Sequence, residues 1–172
     1  MKKKTIAILV LTLGVFILLL ILATTYIRNK LEFSNTEKRI STYMQELKRN
    51  TDRGLITSDN YCDYSRQKYS RALNCHINSS FSAEGIGDEQ IQELLRLADN
   101  NIQKIALNDT KDFTEQNKQY ISSDYIKSVV GKRGSLTCGV HTIKTGTEEK
   151  GATIQIECSG LAKRAWYPIK EN

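Results

Sequence analysis

The sequence predicts an α+β protein, with an N-terminal transmembrane helix followed by a small antiparallel sheet packed by one or two helices. The first observation behind this prediction is an uncharged, strongly apolar run from Thr5 to Ile27. The second is the alternation of apolar and polar residues in several later segments, which is the pattern of half-buried strands. We therefore divide the chain into a cytoplasmic stub (1–4), a transmembrane helix (5–27), a juxtamembrane helix or linker (28–54) and an extracytoplasmic α+β domain (55–172).

The apolar run is long enough to be a membrane anchor. As a helix it spans roughly 35 Å, enough to cross the hydrocarbon layer with some tilt. The alternative is a cleaved signal peptide, whose apolar region is typically about 7–15 residues long. Ile21 also stands where the small residue of a cleavage site near Ala23 would be expected. We therefore expect an uncleaved, single-pass anchor.

The orientation of the anchor depends on the residues around it and on the cysteines. Basic residues flank both ends of the run, so the positive-inside comparison nearly cancels. A short basic stub such as Lys2–Lys4 normally stays in the cytoplasm. All four cysteines follow the anchor, and an even number of cysteines is typical of an oxidising compartment. We expect a cell-membrane protein with its N-terminus in the cytoplasm and its domain outside. The abundance of Lys, Ile and Asn suggests a bacterial source.

Helical periodicity appears in three further places. The segment 28–50 carries Ile40, Tyr43, Met44 and Leu47 at helical spacing, but the sequence does not decide whether it continues the membrane helix. The segment 88–107 has a clear apolar stripe that favours a core-facing helix. A weaker pattern predicts a helix over 123–130, and the polar stretch 50–60 predicts a loop.

Three segments alternate as strands, at 72–82, 135–143 and 152–159. If the polar residues 145–151 form a turn centred on Glu148, antiparallel pairing places Cys138 opposite Cys158 and their apolar neighbours opposite each other. A slip of one residue would destroy both matches. Directly opposed cysteines lie close enough for a cross-strand bridge. We therefore predict the disulfides Cys138–Cys158 and, by elimination, Cys62–Cys75.

The same cysteines could in principle bind a metal ion. Their spacing contains no C-x-x-C pair, which structural zinc sites commonly use. His76 and His141 fall on the strand face opposite their neighbouring cysteines, so they would not join the same ligand shell. We expect no metal and no cofactor.

The basic composition has a simple origin. The chain has a formal net charge of +6, and the three lysines of the N-terminal stub supply half of it. The remaining charge is modest for a domain of this length, so the composition does not favour nucleic acid as a partner.

One cluster outside the anchor interleaves basic and aromatic residues, which can hold a polyanion by charge and ring stacking. The alternative is a loop or capping helix with its tyrosines packed inward and its basic tips in solvent. The modest charge of the domain favours this second interpretation. The cluster consists of Tyr61, Tyr64, Arg66, Lys68, Tyr69 and Arg71.

The order of these parts resembles a type IV pilin or pseudopilin across the whole chain. A basic stub, an apolar helix, an amphipathic continuation and a small sheet with a C-terminal disulfide follow one another in both. The resemblance is one of architecture. The family has a small residue at its cleavage point, then Phe, then a Glu inside the apolar run, whereas here Lys4 precedes Thr5 and no Glu occurs before Glu32.

The function that the sequence predicts is that of a non-enzymatic, membrane-anchored binding or scaffolding protein. Its partners would be the membrane, through the N-terminal helix, and an unidentified protein or envelope polymer. Familiar catalytic motifs do not occur. The alternatives are a pilin-like filament subunit and a cell-envelope enzyme, whose site would be assembled from distant residues with His76 and His141 as candidate bases.

Overall fold

One helix joins the membrane segment to the folded domain. The computed structural model describes residues 2–51, 54–67, 70–99, 105–121, 124–145 and 151–170. Helix α1 extends from Lys2 to Asn50 without interruption, so the predicted anchor and juxtamembrane segments form one element. Among the described residues, α1 is the one helix long and apolar enough to cross a membrane, with a mean hydropathy of 2.8 in its most apolar window, none of which is buried.

The second half of α1 forms part of the domain core. It carries a stripe of large side chains at helical spacing, each almost completely buried. Residues from the segment predicted as a juxtamembrane helix or linker therefore belong to the domain itself. The stripe consists of Phe33, Ile40, Tyr43, Met44 and Leu47.

Seven strands form one antiparallel sheet, in the order β1-β3-β7-β6-β5-β4, with β2 paired to β3 beside β1. This arrangement confirms the predicted fold class. The bounds are β1 Leu55–Ser58, β2 Tyr61–Gln67, β3 Ser70–Glu84, β4 Asn108–Asp112, β5 Tyr125–Arg133, β6 Leu136–Thr145 and β7 Gly151–Leu161.

The β6–β7 pair has the register that the sequence predicts. Cys138 pairs with Cys158, and Val140 pairs with Ile156. These four side chains are buried on the face that packs against α1. The structure contains the disulfides Cys138–Cys158 and Cys62–Cys75, each joining directly opposed residues of neighbouring strands.

The predicted helix over 123–130 is wrong, because residues 125–130 lie in strand β5, while residue 123 is outside the described residues. Tyr125, Ile126, Val129 and Val130 have a spacing that fits a helix, but β-branched residues also favour strands. In the structure Val129 faces the core opposite Val140, and the neighbouring Ser128 faces the other side of the sheet. The predicted loop over 50–60 also contains a short edge strand, β1, which pairs with β3.

In the described part of the chain, two shorter helices pack against the sheet. Helix α2 (Asp88–Asp99) buries Leu94 and Leu97 in the core. Residues 100–104 of the helix predicted over 88–107 lie outside the described residues, and the chain enters β4 at Asn108. Helix α3 (Thr114–Tyr120) lies beside β5 on the face of the sheet opposite α1. The hydrophobic core lies between α1 and the inner face of the sheet.

Candidate functional site

The described residues of the predicted polyanion cluster lie on strands β2 and β3. Arg66 pairs with Arg71 across the two strands, and Tyr64 is 47% exposed. The cluster is therefore neither a loop nor a capping helix over residues 61–67. Lys68 and Tyr69 lie outside the described residues, as do the side chains of Arg66 and Arg71. Polyanion binding by this cluster stays a prediction.

Strand β3 extends toward the membrane end of α1. Asn74 of β3 pairs with Leu161, at the end of β7. The Leu161 carbonyl accepts a hydrogen bond from Asn29 Nδ2 at 3.3 Å, one residue beyond Arg28. Because β3 continues past this point to Ser70, this end of β3 lies on the membrane side of the domain.

Tyr61, the first aromatic residue of the cluster, is already engaged within the domain. Its ring stacks on the His76 imidazole, with 4.6 Å between ring centroids, and Lys170 Nζ lies 4.3 Å from the Tyr61 centroid. His76 Nε2 lies 3.3 Å from Asp63 Oδ1. These contacts give Tyr61 and His76 a structural role on the outer face of the sheet.

His141 and Ser128 are in contact, as the base and nucleophile of a catalytic pair would be. Ser128 Oγ lies 2.9 Å from His141 Nδ1 and accepts a hydrogen bond from Asn117 Nδ2 at 2.7 Å. Ser128 is completely buried beneath α3, so a substrate has no path to its hydroxyl. Burial lowers the pKa of His141, and Glu157 partly opposes this shift. The pair therefore connects β5, β6 and α3 and is not placed to act as a nucleophile.

A groove runs between α1 and the end of β5. We call it the α1 groove. Its part farther from the membrane encloses about 590 Å³ and its part nearer the membrane about 790 Å³, and Asn35 and Arg133 line both. The farther part is lined by Asn35, Lys38, Arg39, Thr42, Tyr43, Glu46 and Arg133.

The α1 groove is positively charged. Three cations, Lys38, Arg39 and Arg133, line its farther part, against one carboxylate, Glu46. Burial lowers the pKa of Arg133, and the positive charge of Arg39 adds to this effect while Glu32 opposes it. Neighbouring cations repel one another, so an acidic group bound in the groove would relieve this repulsion.

Two hydrogen bonds hold the Arg133 guanidinium at the edge of the groove. Its Nε donates to Thr36 Oγ1 at 3.0 Å, and its Nη1 donates to the Ile105 carbonyl at 2.7 Å. Thr36 is itself buried in α1. Arg133 therefore has a fixed position, which a binding site requires of the groups that orient its ligand.

Sequence reasoning missed this groove. Lys38 and Arg39 are adjacent in the sequence, and no local pattern distinguishes them from ordinary solvent-exposed charges on a helix. Arg133 comes from a strand almost a hundred residues later, and only the packing of the sheet on α1 brings the three together.

The chain offers no metal centre in its described part, where no group of three or more His, Cys, Asp and Glu side chains is close enough to hold an ion. Comparisons of the chain with protein-family models, with curated proteins and with solved structures found no match.

Proposed function

We propose that this chain is a non-enzymatic, membrane-anchored binding and scaffolding protein that holds an acidic segment of a partner in the α1 groove outside the cytoplasm. The observation that carries the proposal is the cluster of Lys38, Arg39 and Arg133 along a groove formed by the anchoring helix itself. Charge complementarity would select the partner and speed its association.

The continuous helix supports the scaffolding part of the proposal. The same helix exposes apolar side chains toward the membrane over its first half and buries Phe33, Ile40 and Leu47 in the domain core over its second half. Because the helix has no break, the distance between its membrane segment and the groove is fixed. A partner in the groove would therefore lie at a fixed height above the bilayer. From Arg28 to Arg39 the helix rises about 17 Å.

The disulfides support placing the domain outside the cytoplasm. Both bridges lie on the sheet, and such bridges persist in oxidising compartments. Treatment of intact cells with a protease should remove the domain and leave the N-terminus protected. Degradation from the N-terminal side alone would contradict this orientation.

A charge reversal in the α1 groove tests the binding proposal. We expect Lys38→Glu with Arg39→Glu to abolish crosslinking of the full-length protein to its partner in membranes. Lys48→Glu with Arg49→Glu is a matched control, since this pair is also exposed and lies near the end of the same helix. Equal loss in both double variants would contradict the proposal, and so would turnover of an envelope substrate by the purified protein.

A second candidate function is that of a filament subunit of the pilin-like kind, in which the apolar half of α1 would pack against copies of itself. The long exposed apolar stretch of an unbroken helix favours it, with Leu11 71% and Val15 51% exposed. Mass spectrometry of the native N-terminus distinguishes the two functions, because the filament requires cleavage after Lys4 and N-methylation. An intact N-terminus would exclude that route of assembly.

The enzyme alternative has a direct test as well. Replacing His76 and His141 together should leave the cellular function intact if both are structural, provided that the variant folds. A loss of function in a folded variant would favour an envelope enzyme.

A further inference from the structure

The edge of the domain nearest the membrane end of α1 combines basic, aromatic and apolar side chains. We call it the membrane-facing rim. It begins where the apolar run of α1 ends and continues into the segment that follows β7. The rim consists of Tyr26, Arg28, Leu161, Lys163, Arg164 and Trp166.

Aromatic contacts hold the two parts of the rim together. The Trp166 ring lies edge-on to Tyr26, with centroids 6.2 Å apart, and edge-on to Phe33, with centroids 5.2 Å apart. The guanidinium carbon of Arg164 lies 5.9 Å from the centroid of Tyr26. Tyr and Trp prefer the interface between water and hydrocarbon, so this group marks the level of the headgroups.

The rim has an exposed apolar residue and carries charge of a single sign. Leu161 is 61% exposed at the end of β7. Lys163 and Arg164 are both exposed, and the sequence from Ser159 to Lys170 contains no carboxylate. Arg28 adds a further cation from α1. A basic surface with a small apolar projection complements a layer of negative headgroups over hydrocarbon.

We propose that the membrane-facing rim binds acidic phospholipid headgroups of the bilayer in which α1 is anchored. Lys163, Arg164 and Arg28 contact the phosphates, and Leu161 enters the boundary between headgroups and acyl chains. The β2–β3 hairpin lies on the same side of the domain, since β3 extends beyond its pairing with Leu161. This contact would hold the domain against the bilayer in a single orientation, with the cationic part of the α1 groove farther from the membrane.

The single tryptophan of the chain reports on this contact. The full-length protein is placed in nanodiscs of phosphatidylcholine alone, or of phosphatidylcholine with a rising fraction of phosphatidylglycerol. We expect the acidic lipid to shift Trp166 emission to the blue and to reduce its quenching by acrylamide. High salt should reverse both effects, because it screens the contact between exposed charges.

Paired variants separate the rim from the general charge of the protein. The double variant Lys163→Gln with Arg164→Gln should need several-fold more phosphatidylglycerol to reach half of the maximal shift in Trp166 emission. Lys48→Gln with Arg49→Gln removes the same two charges about 30 Å farther along the helix and should leave the response unchanged. Arg164→Lys should retain the response, which distinguishes loss of charge from loss of the contact with Tyr26.

Thermal unfolding of each variant in detergent identifies any variant that does not fold. If the glutamine pair does not fold, Arg164→Lys is the folded variant that is compared with the unaltered protein. Identical emission and quenching in neutral and acidic nanodiscs would overturn the proposal. An equal effect of the two glutamine pairs would also overturn it, because the rim would then have no special role.

Discussion

Glu32 of α1 accepts two hydrogen bonds from Ser135, one from its backbone N–H and one from its hydroxyl at 2.9 Å. Ser135 lies in the turn between β5 and β6, so this carboxylate fixes the sheet to the helix about one turn beyond Arg28. The turn must approach α1 closely, and Gly134 makes this possible with a φ of +60°. A Cβ at position 134 would lie 1.6 Å from Glu32 Oε1.

Gly134→Ala should therefore lower the free energy of unfolding by about 1–3 kcal/mol, because it places a side chain at positive φ and displaces Glu32. Chemical denaturation of the full-length protein in detergent measures the change. Gly87→Ala is the matched control, since a Cβ there meets nothing within 4 Å. A similar loss in both variants would contradict the role given to the turn.

The buried stripe of α1 supports a second prediction. Leu47 is completely buried between the helix and the sheet. Leu47→Ala should cost about 2–5 kcal/mol, from lost burial and the cavity that remains. Leu31→Ala removes the same atoms from a position that is 55% exposed and should change stability by less than about 0.5 kcal/mol. If the two changes cost the same, α1 would not be part of the core.

The sequence predicted the features that depend on local periodicity. Alternating residues around Cys138 and Cys158 determined a register, because a slip by one residue would have turned both cysteines and their apolar neighbours to the wrong face. The stripe containing Ile40 and Leu47 predicted a helix, although not its burial in the domain core. Such patterns repeat within one helix or strand, so they can be recognised without knowing which other elements pack against it.

The features that depend on packing between distant elements could not be predicted. Val129 and Val130 fit a short helix as well as a strand, and pairing with β6 decided between them. The α1 groove needs Arg133 beside Arg39, which no local pattern indicates. The same holds for the membrane-facing rim. Trp166 contacts Tyr26, although all seven strands of the sheet lie between these two residues in the sequence.

The disulfide Cys138–Cys158 should contribute to the stability of the domain. Replacing Cys138 and Cys158 together by alanine opens a bridge between residues 20 apart and should lower stability by roughly 3 kcal/mol. Denaturation under oxidising conditions gives the difference from the unaltered protein. Peptide mapping without reduction should link Cys138 to Cys158 and Cys62 to Cys75, and links between the two pairs would contradict the sheet register.

The burial of His141 should make stability dependent on pH. Burial lowers the pKa of His141 in the folded protein, so the unfolded chain takes up a proton first as the pH falls. The contribution of the neutral imidazole is therefore fully present above the ordinary histidine pKa of about 6.5 and declines below it. Glu157 reduces this effect without reversing its sign.

We expect the free energy of unfolding to fall between pH 7 and pH 5 more steeply in the unaltered protein than in His141→Gln, which cannot take up this proton. Denaturation curves at both pH values measure the two slopes, and an NMR titration of the His141 ring locates its pKa directly. Because a glutamine side chain can still hydrogen-bond Ser128 Oγ, the variant isolates titration from the loss of that contact. Equal slopes would show that His141 gains its proton as readily in the folded domain as in the unfolded chain, and would contradict the burial that α3, β5 and β6 impose on it.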